Sequence, residues 1–262
     1  DFTVGDWVAL ESILTCNRCE PCRRGQFNQC HQAQLIGLQE DGMFASTADI
    51  PAKLAHNIND MVASHPDGLR AAACLEPAGV AWTACEKAAI TGHDRVLILG
   101  AGPIGIFCAM LSRLVFGAQH ISIVDPVPFR HELASTWCDR TSGSLAKVLA
   151  SGQRFDVVIE AAGDLDGLAS IIKRIDANGR VILLARSGNS LHLETVDHLI
   201  THAISVTGVR GHLGGAFNSL IRLYVAGRLP LHAIVTRQLD SFDALREALL
   251  SPEQILRKNC KV

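Results

Sequence analysis

The chain has 262 residues, 48% of them hydrophobic and 19% charged, with a formal net charge of −2. That balance describes a globular chain long enough for two domains, and it lacks the basic stripe that nucleic acid or an anionic membrane surface demands. The nine cysteines, an odd number spread over the whole length apart from one cluster, argue against a small disulfide framework and for a reducing, cytoplasmic compartment.

In chain order, Phe2–Ala9 reads as a strand already in mid-fold. With Asp rather than Met at position 1 and no signal peptide, the expectation is a piece whose beginning is missing. The cysteine cluster follows as Cys16, Cys19, Cys22 and Cys30, spaced C-x2-C-x2-C-x7-C. Four thiolates on one loop can enclose a tetrahedral Zn²⁺ at Zn–S distances of about 2.3 Å, and an all-cysteine set without an open position is structural rather than catalytic. The alternatives are an iron–sulfur cluster, whose bacterial spacing ends in C-x3-C-P, and two disulfides. Arg18, Arg23 and Arg24 either temper the charge of the thiolates or form a solvated face.

Residues 35–60 are broken by Gly37, Gly42 and Pro51, so their short apolar segments suit the strands of a small β-barrel. Gly68–Lys87 turns helical. Glu76 precedes Pro77 within it, which predicts a break there and a carboxylate turned into a cleft. Cys74 reads as a small buried hydrophobe.

Arg95–Phe107 is the stretch around which the chain is organised. It runs as an apolar strand, then Gly100-Ala101-Gly102-Pro103-Ile104-Gly105, then an apolar helix. Strand, Gly-x-Gly-x-x-Gly turn and helix together form a dinucleotide fingerprint. Gly100 allows the tight turn, Gly102 lets backbone approach a pyrophosphate, and Gly105 lets the helix lie close on the strand. Pro103 suits the first helical position, and the free N–H groups of that turn face an anion. His120–Val124 reads as the next strand and ends in Asp125, 20 residues after Gly105, where a carboxylate can hold a ribose 2′-hydroxyl and repel a 2′-phosphate. NAD is therefore favoured over NADP. The alternative is a merely structural glycine turn. The 16-residue apolar run Val96–Leu111 is interrupted by glycines and a proline, so it reads as buried strand plus helix rather than a membrane span.

The alternation then continues. Phe129–Trp137 is a helix, Phe155–Glu160 a strand with Ala161-Ala162-Gly163 as its turn, Leu165–Ile175 a helix, and Gly179–Leu184 a strand. Ile204–Gly208 is the last strand of the set and Ala216–Ala226 the helix after it. Trp137–Arg154 has room for a helix but holds no convincing strand. Beyond Leu229 come a strand near Ile234, a helix at Phe242–Leu250 and a final strand at Cys260–Val262. Strands alternating with helices predict an α/β fold with a parallel sheet and right-handed crossovers.

Four segments in this order carry a family resemblance: Val4–Val8, the four-cysteine loop, Leu75–Ala81, and Gly100–Gly105 with Asp125. The chain resembles the zinc-containing medium-chain dehydrogenases, and within them the polyol and threonine dehydrogenase branch. The resemblance implies a doubly wound Rossmann parallel sheet of strand order 3-2-1-4-5-6 plus a partial GroES-like β-barrel. The barrel would comprise residues 1–80 and 228–262, and the NAD-binding domain residues 81–227. It implies hydride transfer from a polyol or secondary alcohol to NAD in the intact protein, with a small alcohol as substrate and a homodimer or homotetramer formed along the last strand, near Ala203–Val209. It implies neither nucleic acid nor membrane as a partner.

The resemblance also implies a second, catalytic zinc. Two of its usual ligands, a Cys and the His of a Gly-His-Glu segment, lie upstream of where this chain starts. Glu76 is the remaining candidate, as a ligand or as partner of the zinc-bound water; its other reading is a carboxylate that only caps local backbone. His131-Glu132 reads as exposed helix surface. Arg130 is expected along the adenosine, and the turns holding Ala162 and Gly163, Leu184, and Val209 and Arg210 along the nicotinamide half. The competing reading is a catalytically silent, zinc-stapled NAD(H)-binding scaffold or sensor.

Overall fold

The computed structural model describes residues 2–212, 215–256 and 258–262. In chain order the strands are β1 (Val8–Leu10), β2 (Ile13–Leu14), β3 (Gln34–Leu35), β4 (Ala55–Asn57), β5 (Arg95–Leu99), β6 (His120–Val124), β7 (Arg140–Ser142), β8 (Phe155–Glu160), β9 (Ile175–Leu183) and β10 (Ser205–Gly208). The helices are α1 (Glu20–Arg23), α2 (Asn59–Ser64), α3 (Gly68–Ala72), α4 (Leu75–Lys87), α5 (Pro103–Leu114), α6 (Pro128–Ser135), α7 (Leu145–Ala150), α8 (Leu165–Ile171), α9 (Asp197–Thr201), α10 (Ala216–Val225), α11 (Phe242–Leu250) and α12 (Pro252–Leu256). No helix among the described residues is long and apolar enough to cross a membrane.

The chain divides into two compact units, Asp1–Thr83 with Arg210–His232, and Ala84–Val209 with Ala233–Val262. Relative to the division expected from sequence, residues 81–83, 210–227 and 233–262 fall on the other side. The C-terminal segment is largely self-paired: Lys261 bridges Val235, and the Thr236 N–H donates to the Lys261 carbonyl at 2.9 Å. The strands expected near Ile234 and at Cys260–Val262 are reduced to that single bridge.

The second unit is a six-stranded parallel sheet in the order β7-β6-β5-β8-β9-β10, which is 3-2-1-4-5-6 in sequence order. β5 reads Arg-Val-Leu-Ile-Leu because both its faces are covered: Val96, Leu97 and Ile98 are wholly buried, and a strand covered on both sides is a continuous apolar run. Leu97, Leu99, Phe155, Val158, Leu168, Ile171, Ile172, Ile175 and Val181 form one cluster. At the start of β5, Arg95 holds Asp156 at 2.9 Å and Asp176 at 2.5 Å, and Arg154 also binds Asp176. Those charges tie β5, β8 and β9 in register, and the Arg95 guanidinium holds the Asp156 carboxyl below its ordinary range.

β7 corrects the sequence reading, which found no strand between Trp137 and Arg154. Its three residues Arg-Thr-Ser pair with Ser122–Val124 at the sheet edge, where polar side chains face solvent and periodicity gives no apolar signal.

The first unit carries two short antiparallel pairs among its described residues, β1 with β4 and β2 with β3. α10 packs on α2 and buries Phe217, Leu220 and Tyr224, an i, i+3, i+7 stripe. The helix break lies at Ala73-Cys74, not at Glu76. α4 starts at Leu75, so Pro77 falls in its first turn, where a missing N–H is tolerated.

Candidate functional site

Two constellations stand out, one in each unit. In the first unit, the loop between β2 and β3 brings the Sγ atoms of Cys16, Cys19, Cys22 and Cys30 within 4.8 Å of one another. The Cys16–Cys30 and Cys19–Cys30 sulfur separations are 3.5 and 3.9 Å. A tetrahedral zinc with 2.3 Å bonds requires sulfurs about 3.8 Å apart, so the four thiols fit that ion. The loop's backbone is shaped to receive thiolate charge. The Cys16 N–H points at Cys30 Sγ (3.3 Å) and the Cys19 N–H at Cys16 Sγ (3.4 Å). Amides of Arg18 and Cys19 bring the Cys16 thiol down to about 6, and those of Cys22 and His31 lower Cys19. Burial pushes Cys22 up to about 12, so its ionisation in the folded loop depends on a cation. Arg24 pairs instead with Glu20 on the exposed face.

In the second unit, the turn after β5 has the geometry its glycines require. Gly100 has φ +99°, and a Cβ there would lie 3.0 Å from both the Ala161 carbonyl and the Ala162 Cβ. A Cβ on Gly105 would fall 1.9 Å from the Gly100 carbonyl, whereas one on Gly102 would meet nothing within 4 Å. The open space therefore lies where Gly102 caps α5 through backbone alone, with Pro103 in the first turn and no side chain bonding the helix start. Unshared amides and the helix dipole leave a positive, uncrowded end.

Asp125 stands beside that turn. It is 4% exposed; Oδ2 accepts from the Ala101 N–H at 2.8 Å and from Arg130 Nη1 at 3.2 Å, and Oδ1 accepts from the Val127 N–H at 2.9 Å. Its carboxylate thus joins the glycine turn to the end of β6, and Oδ1 keeps a further lone pair. His131 is half-buried, not exposed as expected, with Nε2 against the Asp125 carbonyl; Glu132 is exposed.

Glu160, the last residue of β8, was missed by sequence reasoning. It is fully buried, and its Oε1 gathers the N–H groups of Ala162 (2.9 Å), Gly163 (2.6 Å) and Asp164 (3.1 Å). The signal was present as an acid closing the apolar run Val157–Ile159 of a central strand. Its carbonyl accepts from Leu184 at 2.9 Å, so one residue fixes two of the expected turns. The Val209 N–H bonds the Leu183 carbonyl at 3.0 Å. Arg210 is exposed, and its carbonyl accepts from Asn28 at 2.7 Å.

Glu76 lies half-buried in the first turn of α4. It belongs to neither group of three or more His, Cys, Asp and Glu that converges on a common point among the described residues.

The family model of the alcohol dehydrogenase GroES-like domain matches residues 1–60. L-threonine 3-dehydrogenase of Pyrococcus abyssi is 30% identical over 254 residues, spanning 94% of this chain and 71% of that protein. The probable D-xylulose reductase A of Aspergillus fumigatus is 27% identical over 92% of this chain and 69% of its own length. Among solved structures, a short chain alcohol dehydrogenase of Escherichia coli CFT073 complexed with NADH superposes with a TM-score of 0.89 at 25% identity, covering 98% of this chain and 76% of that one.

Proposed function

We propose a function from one premise: the chain belongs to the zinc-containing medium-chain alcohol dehydrogenase family. The intact protein is a zinc-dependent oxidoreductase that transfers a hydride from the CH–OH group of a polyol or secondary alcohol to NAD. The observation that carries this reading is the bare amino end of α5, with space over Gly102 and none over Gly105.

The residues fit the dinucleotide. Gly102, Ile104 and Gly105 would present backbone to the diphosphate, Asp125 and Arg130 would face the adenosine sugar, and the turns around Ala162, Gly163, Leu184 and Val209 would border the nicotinamide half. The bound cofactor supplies the hydride acceptor; the protein orients it and excludes water. Glu160 contributes by fixing the Ala162–Gly163 turn through three amides. Cys16, Cys19, Cys22 and Cys30 would hold a structural zinc that closes their loop. Glu76 is our candidate for a group near the reacting alcohol. The names of the threonine and xylulose relatives support a substrate bearing vicinal polar groups.

An odd number of cysteines, nine, spread over the chain supports a cytoplasmic setting. β10 ends the sheet with Val206 41% exposed, an open edge that supports a homodimer or homotetramer. The test is NAD⁺ reduction by the intact protein across polyols, L-threonine and simple secondary alcohols. Turnover with at least one supports the reading. NADH binding without turnover on any of them would favour the scaffold instead.

A further inference from the structure

We propose that His65, Asp67 and His232 form an additional metal site, which takes a divalent transition ion such as Zn²⁺ and ties the chain after α2 to the chain after α10. The site is independent of the hydride chemistry. One ligand atom from each of the three residues lies within 4.8 Å of the others. The two imidazoles stack with centroids 4.6 Å apart and planes 22° from parallel. Asp67 Oδ1 accepts from Arg70 Nη1 at 2.8 Å, and the Asp67 N–H donates to His65 Nδ1 at 3.0 Å, which leaves Nε2 as the His65 nitrogen to face an ion.

Two orphaned atoms point to a missing partner at this spot. His232 Nδ1 and the Tyr224 hydroxyl are buried without a hydrogen-bond partner among the described residues. Tyr224 is itself only 5% exposed and stands edge-on to both imidazoles, at 6.2 and 5.8 Å. Buried polar atoms left unpaired are rare in folded proteins, and an unprotonated imidazole nitrogen is a metal ligand.

The donor set selects the ion class. Two imidazoles and one carboxylate suit zinc, cobalt(II), nickel(II) or iron(II), and are a poor match for the all-oxygen shells of calcium and magnesium. Three protein ligands leave a position for water. The His65 and Asp67 side chains are 44% and 29% exposed, so the ion would exchange with solution, unlike one held by the buried Cys22 and Cys30. Because the ligands come from chain segments far apart in sequence, the bound ion would stabilise the fold by mass action.

The test compares the intact protein with its H65A/H232A variant and with the shape-retaining D67N variant. After dialysis against excess Zn²⁺ and gel filtration, the wild type should carry one more ion per chain than H65A/H232A. Added Zn²⁺ should raise the wild-type Tm and leave that of H65A/H232A unmoved. D67N, which keeps both histidines, should bind the extra ion at least ~10-fold more weakly. Equal metal content and equal zinc-induced Tm shifts in wild type and both variants would overturn the proposal. Should H65A/H232A not fold, the D67N comparison decides it alone.

Discussion

Gly102 and Gly105 lie three residues apart, and an added methyl group should act on them in opposite ways. At Gly105 the Cβ would sit 1.9 Å from the Gly100 carbonyl, so α5 must move off β5. Overpacking of this kind costs about 1–3 kcal/mol, and a backbone atom cannot swing away as a side chain can, which places G105A at or above the top of that range. At Gly102 φ is −71° and nothing lies within 4 Å. Removing glycine's unfolded-state freedom gains about 0.4–1 kcal/mol, and alanine's poorer N-cap preference offsets part of it. G102A should therefore melt within about 2 °C of wild type. Its methyl group, however, occupies the space reserved for the diphosphate. Loss of about 1.4–3 kcal/mol there would weaken binding by about 10- to 150-fold. Thermal unfolding and an NADH fluorescence titration separate the two. G102A with unchanged NADH affinity would refute the diphosphate seat, and a G105A protein as stable as wild type would refute the turn geometry.

Three further outcomes follow from the same reasoning. D125A should weaken NAD binding and relax discrimination against NADP, measured by titration with both cofactors; because Oδ2 also holds the Ala101 N–H, Tm should fall by a few degrees. C30S removes the sulfur that faces both Cys16 and Cys19; metal analysis should show one zinc fewer per chain and limited proteolysis should cut within residues 16–30. His56 bonds Glu11 at 2.8 Å, and that carboxylate raises its pKa above the ordinary 6.5. The resulting stabilisation is fully present below about pH 6.5 and disappears as pH climbs through the raised value, so E11Q should flatten that part of the stability–pH curve.

Much of this architecture could be read from residue order. The cysteine spacing and the glycine fingerprint are local, because neighbouring residues in the chain meet in the same loop. The six strands of the sheet were legible wherever a strand is buried on both faces, as at β5 and β8. β7 was not, since Arg140, Thr141 and Ser142 sit on a sheet edge, where a strand needs no apolar run. Glu160 and Asp125 show a second limit. A buried acid takes its role from amides that only the folded turn brings together: three for Glu160, and the Ala101 and Val127 N–H groups for Asp125. The convergence of His65 and Asp67 with His232 had no local signal at all, because it depends on the packing of α2 against α10.

The central claim is that the amino end of α5 seats the diphosphate of NAD. A crystal structure of the intact protein with NADH tests it most directly. The account predicts phosphate oxygens within hydrogen-bonding distance of the backbone at Gly102–Gly105, with the adenosine ribose beside Asp125 and Arg130. A diphosphate bound elsewhere, with the first turn of α5 left to water, would contradict it.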